Sequence, residues 1–145
     1  MNNAELTEEL IKFHTENIVI IGKLAEHFSM HGEEAILFFM CLENKPIFAG
    51  DFKEKTGLTS GRIATILKQL EAKKYIIRCQ NENDKRKILV KLTEEGRTVI
   101  EAELKNMTEM HKNLLKYLGE NDSAELIRIM KRVLNYVSDN EKDFM

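Results

Sequence analysis

Between Glu33 and Gly96 the hydrophobic period changes from helical to alternating and back again, and that switch restricts the folds open to this chain. The core of Glu33–Glu43, AILFFMCL, is apolar nearly all round and predicts a helix buried on most sides. Asn44-Lys45-Pro46 ends it, because the residue before a proline disfavours helical backbone. A short extended pair, Ile47-Phe48, leads to a third helical segment of about ten residues that runs to Thr56, with Gly57 as its left-handed terminator. Leu58-Thr59-Ser60 opens a fourth helix, Ser60 to Lys74. Ile63, Ile66, Leu67 and Leu70 occupy one of its faces, and Gly61, Arg62, Thr65, Lys68 and Gln69 the others. Tyr75–Cys79 and Arg86–Leu92 carry the β-branched residues of two strands, joined by the polar run Asn81 to Lys85, which predicts a hairpin with a charged tip. Thr93-Glu94-Glu95-Gly96 supplies the cap and first turn of another helix.

The flanks are helical throughout. Leu6, Leu10, Phe13, Ile20, Leu24 and Phe28 place one apolar stripe on a single long first helix, with Thr7 near its start. Asn17 interrupts that stripe, as a polar residue does when it sets register in a paired interface or faces water. Gly32 separates this helix from the next. After Gly96 the apolar face comprises Val99, Ile100, Leu104, Met107, Met110, Leu114 and Leu118, and Gly119-Glu120-Asn121-Asp122 breaks the helix. A last helix carries Leu126, Ile129, Met130, Val133, Leu134 and Val137. The expected fold is mainly α with a small β-hairpin wing. Its expected organisation is a helical region, 1–30 and 98–145, around a module of short helices and a hairpin, 31–97.

Composition narrows the function. With 145 residues, 43% hydrophobic and 32% charged, the chain has enough material for one core without metals or disulfides. Cys41 and Cys79 match neither a redox pair nor a zinc knuckle, which suits a reducing cytoplasm. The polar, acidic start is not a signal peptide, and the longest apolar run, Ala35–Leu42, is too short to cross a bilayer. The net charge of −2 conceals a sorting by region. Gly50–Arg97 holds 12 Lys/Arg against 7 Asp/Glu, and the remainder holds 10 against 17. A basic middle between acidic ends suits a module that neutralises phosphates, although charge sorting is also what any solvated surface displays. We find no phosphate loop, no nucleophile with its base and no paired carboxylates, so an enzyme is not expected.

The order helix, strand, helix, tight turn, helix, hairpin is that of a winged helix-turn-helix. Its second helix enters the major groove and presents its N-terminal side chains to base edges. Here those are Thr59, Ser60, Gly61, Arg62 and Thr65, with Lys68 further back as a phosphate contact. The helix N-terminus favours a phosphate, and Gly61 removes bulk where the backbone approaches DNA.

At these positions the chain resembles the multiple-antibiotic-resistance regulator (MarR) family of bacterial winged-helix repressors, over nearly its whole length. The most specific part is Asp84-Lys85-Arg86 followed by Val90-Lys91-Leu92-Thr93-Glu94-Glu95-Gly96, which looks like the family's D-x-R wing and its V-x-LT-x-x-G exit into the dimer helix. Leu58-Thr59-Ser60 through Leu70-Glu71, ending in Lys74-Tyr75-Ile76, is similar to the recognition helix and its lead into the wing. The resemblance implies that Arg86 reaches toward the minor groove while Asp84 orients it, with Lys85 and Lys87 beside them; alone, such a run would be a solvated hairpin tip. Three positions depart from the pattern. Lys53 stands where a small residue is usual, Phe48 or Ala49 replaces a hydroxyl cap, and Thr65 replaces an arginine in mid-helix.

The resemblance also implies a homodimer on double-stranded DNA, with its two recognition helices about 34 Å apart over an inverted repeat. Relatives sense small aromatic or lipophilic effectors, and some sense oxidants or zinc. The lining candidates here are Phe13, Asn17, Phe28, Met30, Phe39, Met40 and Met110, residue types that at helical spacing are more often plain core. His27, His31 and His111 lack the richer histidine cluster of zinc-sensing relatives, and no metal or other cofactor is expected. His14 reads as a surface or interface residue. Cys41 reads as a buried hydrophobe, and Cys79, beside Arg78, as the candidate for redox sensing. The expected function is a cytoplasmic, ligand-responsive repressor. The rivals are a winged-helix protein-interaction module and a metal- or redox-responsive regulator.

Overall fold

The computed structural model describes residues 1–144 and falls into two compact units, Met1–Ile100 and from Glu101 onward. In the first unit the elements run α1 (Asn3–Glu16), α2 (Ile18–Phe28), α3 (Glu33–Glu43), β1 (Ile47–Phe48), a 3-10 turn (Ala49–Asp51), α4 (Phe52–Thr56), α5 (Ser60–Ala72), β2 (Ile76–Gln80) and β3 (Ile88–Leu92). Helix α6 (Glu94–Leu118) carries the chain into the second unit, which continues with α7 (Glu120–Asp139) and a closing 3-10 turn (Glu141–Asp143). The fold is the expected one, helical with a small wing sheet.

The core of the first unit is built where the periodicity placed it. Ile36, Leu37 and Met40 of α3 meet Phe52 of α4 and Ile63, Ile66, Leu67 and Leu70 of α5, all buried. Ile47, Ile76 and Val90 close this core from the sheet, and Ile100 from α6. Leu37 and Met40 lie one helical step apart, as do Ile63, Ile66 and Leu70, so each helix contributes one stripe.

The sheet has three strands rather than two. β1 pairs antiparallel with β3, Ile47 opposite Val90, and β3 pairs with β2, giving the order β1-β3-β2. A two-residue strand has too short a pattern to announce its partner.

Two further boundaries differ from the sequence reading. The first helix is not continuous: it ends at Glu16, and Asn17 (φ −114°, ψ 15°) stands between α1 and α2. The Asn17 side-chain amide donates to the Phe13 carbonyl at 2.8 Å, competing with the helical ladder for that acceptor. The helix also starts at an unforeseen cap. Asn2 accepts from the amides of Ala4 and Glu5 while Glu5 accepts from the Asn2 amide, a reciprocal capping box, and Thr7 instead turns its hydroxyl back to the Asn3 carbonyl. The second difference lies before Gly57, where a three-residue 3-10 turn and the five residues of α4 replace one longer helix. Gly57, at φ 69°, ends α4 as expected.

The root of the wing is held by backbone and one hydroxyl. The Thr93 amide donates to the Tyr75 carbonyl at 3.0 Å, its hydroxyl donates to the Lys74 carbonyl at 2.7 Å, and its oxygen accepts the Gly96 amide at 3.0 Å. Gly96 is buried against the Tyr75 carbonyl so closely that no Cβ fits there. Thr93 is thus the N-cap of α6 and the joint between that helix and the end of α5.

In the second unit, Ser123 of α7 is buried and donates its hydroxyl to the Leu115 carbonyl at 3.0 Å. Ile127, Ile129, Met130, Val133, Leu134 and Tyr136 stay exposed along α7. In the first unit α1 and α2 contain no buried residue, and Leu10, Phe13, Ile18, Val19, Ile20 and Leu24 are exposed. No helix among the described residues is long and apolar enough to cross a membrane.

Candidate nucleic-acid interface

Helix α5 turns its buried stripe to α3 and α4 and leaves the other side to solvent. Ser60, Gly61, Arg62, Ala64, Thr65, Lys68 and Gln69 are all exposed. Thr59 takes extended backbone (φ −68°, ψ 153°), and its hydroxyl accepts the Arg62 amide at 3.3 Å, which makes it the N-cap of the helix. The cap sets where α5 begins and therefore which side chains stand on its first turn. Thr65 spends its hydroxyl proton on the Gly61 carbonyl at 3.1 Å, leaving its oxygen lone pairs outward as acceptors. No side chain approaches within 4 Å of where a Gly61 Cβ would stand, so that first turn presents open backbone.

The tip of the hairpin is tied by the short polar side chains that the sequence concentrates there. The Asn81 side chain accepts the Asn83 amide at 2.9 Å, the Asp84 carboxylate accepts the Arg86 amide at 3.0 Å, and the Lys87 amide donates to the Asp84 carbonyl at 3.0 Å. The same carboxylate lies 3.5 Å from Arg86 Nε, while the Arg86 side chain remains 93% exposed. Asp84 therefore shapes the turn and meets the guanidinium at Nε, with the Arg86 side chain otherwise left in solvent. Lys85 and Lys87 are exposed next to it.

Several contacts here had no signal in the sequence reading. Lys87 Nζ sits 5.4 Å from the centre of the Phe48 ring, a cation–π contact that steadies the lysine from β1. Arg78 of β2 forms two bonds with Glu71 of α5, Nη2 to Oε1 at 2.8 Å and Nε to Oε2 at 3.2 Å. The hydrogen bonds from Arg78 hold the Glu71 carboxyl below its ordinary value, and the same bonds raise Arg78. Lys73, just past α5, reaches Glu33 of α3 at 2.6 Å, and that bond raises the lysine. These pairs join residues of different elements, and no single-element spacing reveals them. Lys53, the departure in the first helix of the motif, is exposed, because Phe52 fills the core position beside it. It lines a cleft of about 300 Å³ with Gly50, Ser60, Ala64, Leu67, Arg78 and Ile88. The start of that helix, Ala49–Asp51, has no side-chain cap, in line with the missing hydroxyl.

The remaining candidates are scattered. Phe13 and Phe28 are exposed on α1 and α2, whereas Asn17 and Met30 are half-buried. Phe39 is half-buried with its ring edge-on to Phe52 at 5.8 Å, and Met40 is 1% exposed inside the core. Met110 is half-buried in the second unit. Among the described residues no three His, Cys, Asp or Glu side chains come together. His14, His27 and His31 are exposed, and His111 bonds the Met107 carbonyl through Nδ1 at 2.6 Å. Cys41 is half-buried, 4.0 Å from Arg97 Nη1. Cys79 is exposed, donates to the Leu89 carbonyl at 3.7 Å, and has lost its neighbour's guanidinium to Glu71.

A family model described as a winged helix DNA-binding domain matches residues 35–111. The HTH-type transcriptional regulator YdgJ of Bacillus subtilis is 30% identical over 138 residues, which cover 95% of this chain and 84% of that protein. Among solved structures, the YusO protein of Bacillus subtilis superposes with a TM-score of 0.69 at 16% identity, covering 93% of this chain and 99% of that one. A MarR mutant from E. coli complexed with operator DNA superposes with a TM-score of 0.58 at 22% identity, covering 90% and 94%.

Proposed function

We propose that this chain, which belongs to the winged helix DNA-binding domain family and is similar to HTH-type transcriptional regulators, is a MarR-type regulator rather than an enzyme: a cytoplasmic, ligand-responsive repressor that reads an inverted-repeat operator as a homodimer. One observation carries the reading of sequence: the N-cap Thr59 and, on the solvent side of α5, Ser60, Gly61, Arg62, Thr65 and Lys68 are exposed, and the same module presents Asp84, Lys85, Arg86 and Lys87 at the tip of its wing. In this reading Arg62, the longest side chain on the first turn, specifies a base in the major groove, Lys68 and Lys87 meet phosphates, and Arg86 enters the minor groove. The homodimer is supported by the apolar residues that α1, α2 and α7 leave in solvent, more than a monomer exposes without use. The proposed division therefore assigns 31–97 to DNA and the terminal helices, 1–30 and 98–145, to pairing. Of the residues named for a small aromatic or lipophilic effector in the first unit, Phe13 and Phe28 are exposed and Asn17, Met30 and Phe39 half-buried, whereas Met40 lies in the core. The effector's action would be to favour a spacing of the two recognition helices that mismatches the operator.

Titrating operator duplex with Arg62→Ala and Arg86→Ala tests the assignment. Arg62→Ala should lose about 1–3 kcal/mol on the preferred sequence and relax discrimination at one base position. Arg86→Ala should weaken binding and lower the salt slope by about 1 per protomer. Unchanged affinity in both variants would remove helix and wing from the mechanism.

A further inference from the structure

Beyond Ile76 every residue of β2 is exposed, so no buried side chain anchors the outer part of this strand. Its inner end is fixed by backbone, the Tyr75 amide to the Leu70 carbonyl and the Lys74 amide to the Glu71 carbonyl, each at 3.0 Å. The outer part of β2 is paired with β3, Arg78 opposite Val90 and Gln80 opposite Ile88, and the forked Arg78–Glu71 pair ties it directly to the recognition helix. A planar guanidinium bound through two nitrogens to two carboxylate oxygens fixes orientation as well as distance, which one ammonium contact would not. Arg78 also borders the cleft that Lys53 and Ser60 line, beside the start of α5.

We propose that Glu71 is a positioning and specificity-determining residue for DNA reading: it clamps the wing strand to the recognition helix through Arg78 and withholds that guanidinium from the phosphate backbone. The inference rests on the sequence-reading function argued above. Contacts to phosphate fix a protein on duplex but carry no sequence information. An arginine released beside Lys53 would add affinity for every duplex equally, while a loosened wing strand would lose part of what only the operator supplies. Glu71 therefore acts on the ratio of the two affinities, and it needs no contact with DNA to do so.

The test is fluorescence anisotropy with the full chain on an operator duplex and on a scrambled duplex of equal length, across a salt series. In Glu71→Gln the operator-to-scrambled affinity ratio should fall about tenfold, within the range of a single mismatched base pair. On scrambled duplex its log–log salt slope should steepen by about 0.9 per protomer as Arg78 becomes a phosphate ligand. Arg78→Gln should lower the ratio without steepening the slope, because it opens the clamp and frees no cation. The charge-exchanged variant, Glu71→Arg with Arg78→Glu, should restore the ratio. An unchanged ratio in Glu71→Gln, with the parent still discriminating, would overturn the proposal and leave the functional reading intact. Equal loss on both duplexes with a lowered melting temperature would overturn it in favour of plain stabilisation. A parent that does not discriminate would overturn the functional reading and this proposal together.

Discussion

Replacement of Gly96 by alanine would drive a Cβ into the Tyr75 carbonyl oxygen and set it 2.9 Å from both the Tyr75 carbonyl carbon and Leu92 Cδ1. The leucine methyl can rotate away, but the carbonyl cannot, because the Thr93 amide holds it at 3.0 Å. Relief requires α6 to lift from the end of α5, which strains or breaks that bond and the Thr93 hydroxyl's bond to Lys74. Overpacking of this kind costs about 1–3 kcal/mol, and the two weakened hydrogen bonds together about 1–2 more. The helix-propensity gain of alanine over glycine, below about 1 kcal/mol, is small so near the helix start. The net is roughly 3 kcal/mol of destabilisation, which for a chain of this size lowers the melting temperature on the order of 10 °C. Thermal unfolding by circular dichroism at matched protein concentration reads this directly. A melting temperature within 2 °C of the parent's, within about 1 kcal/mol, would refute the close approach of α6 to the wing root.

Other outcomes follow from the same contacts. Thr59→Ala removes the acceptor for the Arg62 amide and should lower stability by about 1 kcal/mol in urea unfolding, with Thr59→Ser close to the parent. Because Arg78 depresses Glu71 below its ordinary value of 4.5, the pair contributes at neutral pH and is lost as the pH falls through the depressed value. The parent's stability should therefore decline more steeply than that of Glu71→Gln below pH 4.5, and parallel acid limbs would contradict the assigned pair. Leu134→Glu, at a side chain 64% exposed on α7, should convert the proposed dimer to monomer in light scattering and weaken operator binding; an unchanged mass would place the interface elsewhere.

Most of the reading module was legible because each helix writes its own pattern. The stripe Ile63, Ile66, Leu67 and Leu70 gave both the buried side of α5 and, by subtraction, its outward residues. Thr59 was legible as an opening residue because a cap acts within one turn. The wing tip was legible through its short polar residues, and Gly57 through its turn. What stayed hidden depends on two segments at once. Ile47-Phe48 was legible as an extended pair, but its pairing with β3 was not, because two residues carry too short a pattern to name a partner. The Arg78–Glu71 and Lys87–Phe48 contacts join elements whose approach is set by the packed core, and each partner alone looks like surface. The Asn17 break failed for a different reason: an apolar stripe continues across it, and the competing amide-to-carbonyl bond leaves no mark on the spacing of the hydrophobic residues.

The central claim is that this chain reads sequence as a two-fold pair, and selection of bound sequences from a random duplex pool, at fixed near-physiological salt, tests it most directly. The account predicts an enriched inverted repeat whose half-sites lie about one turn of DNA apart. Recovery of an unenriched pool, retained only through salt-sensitive binding or not at all, would contradict it.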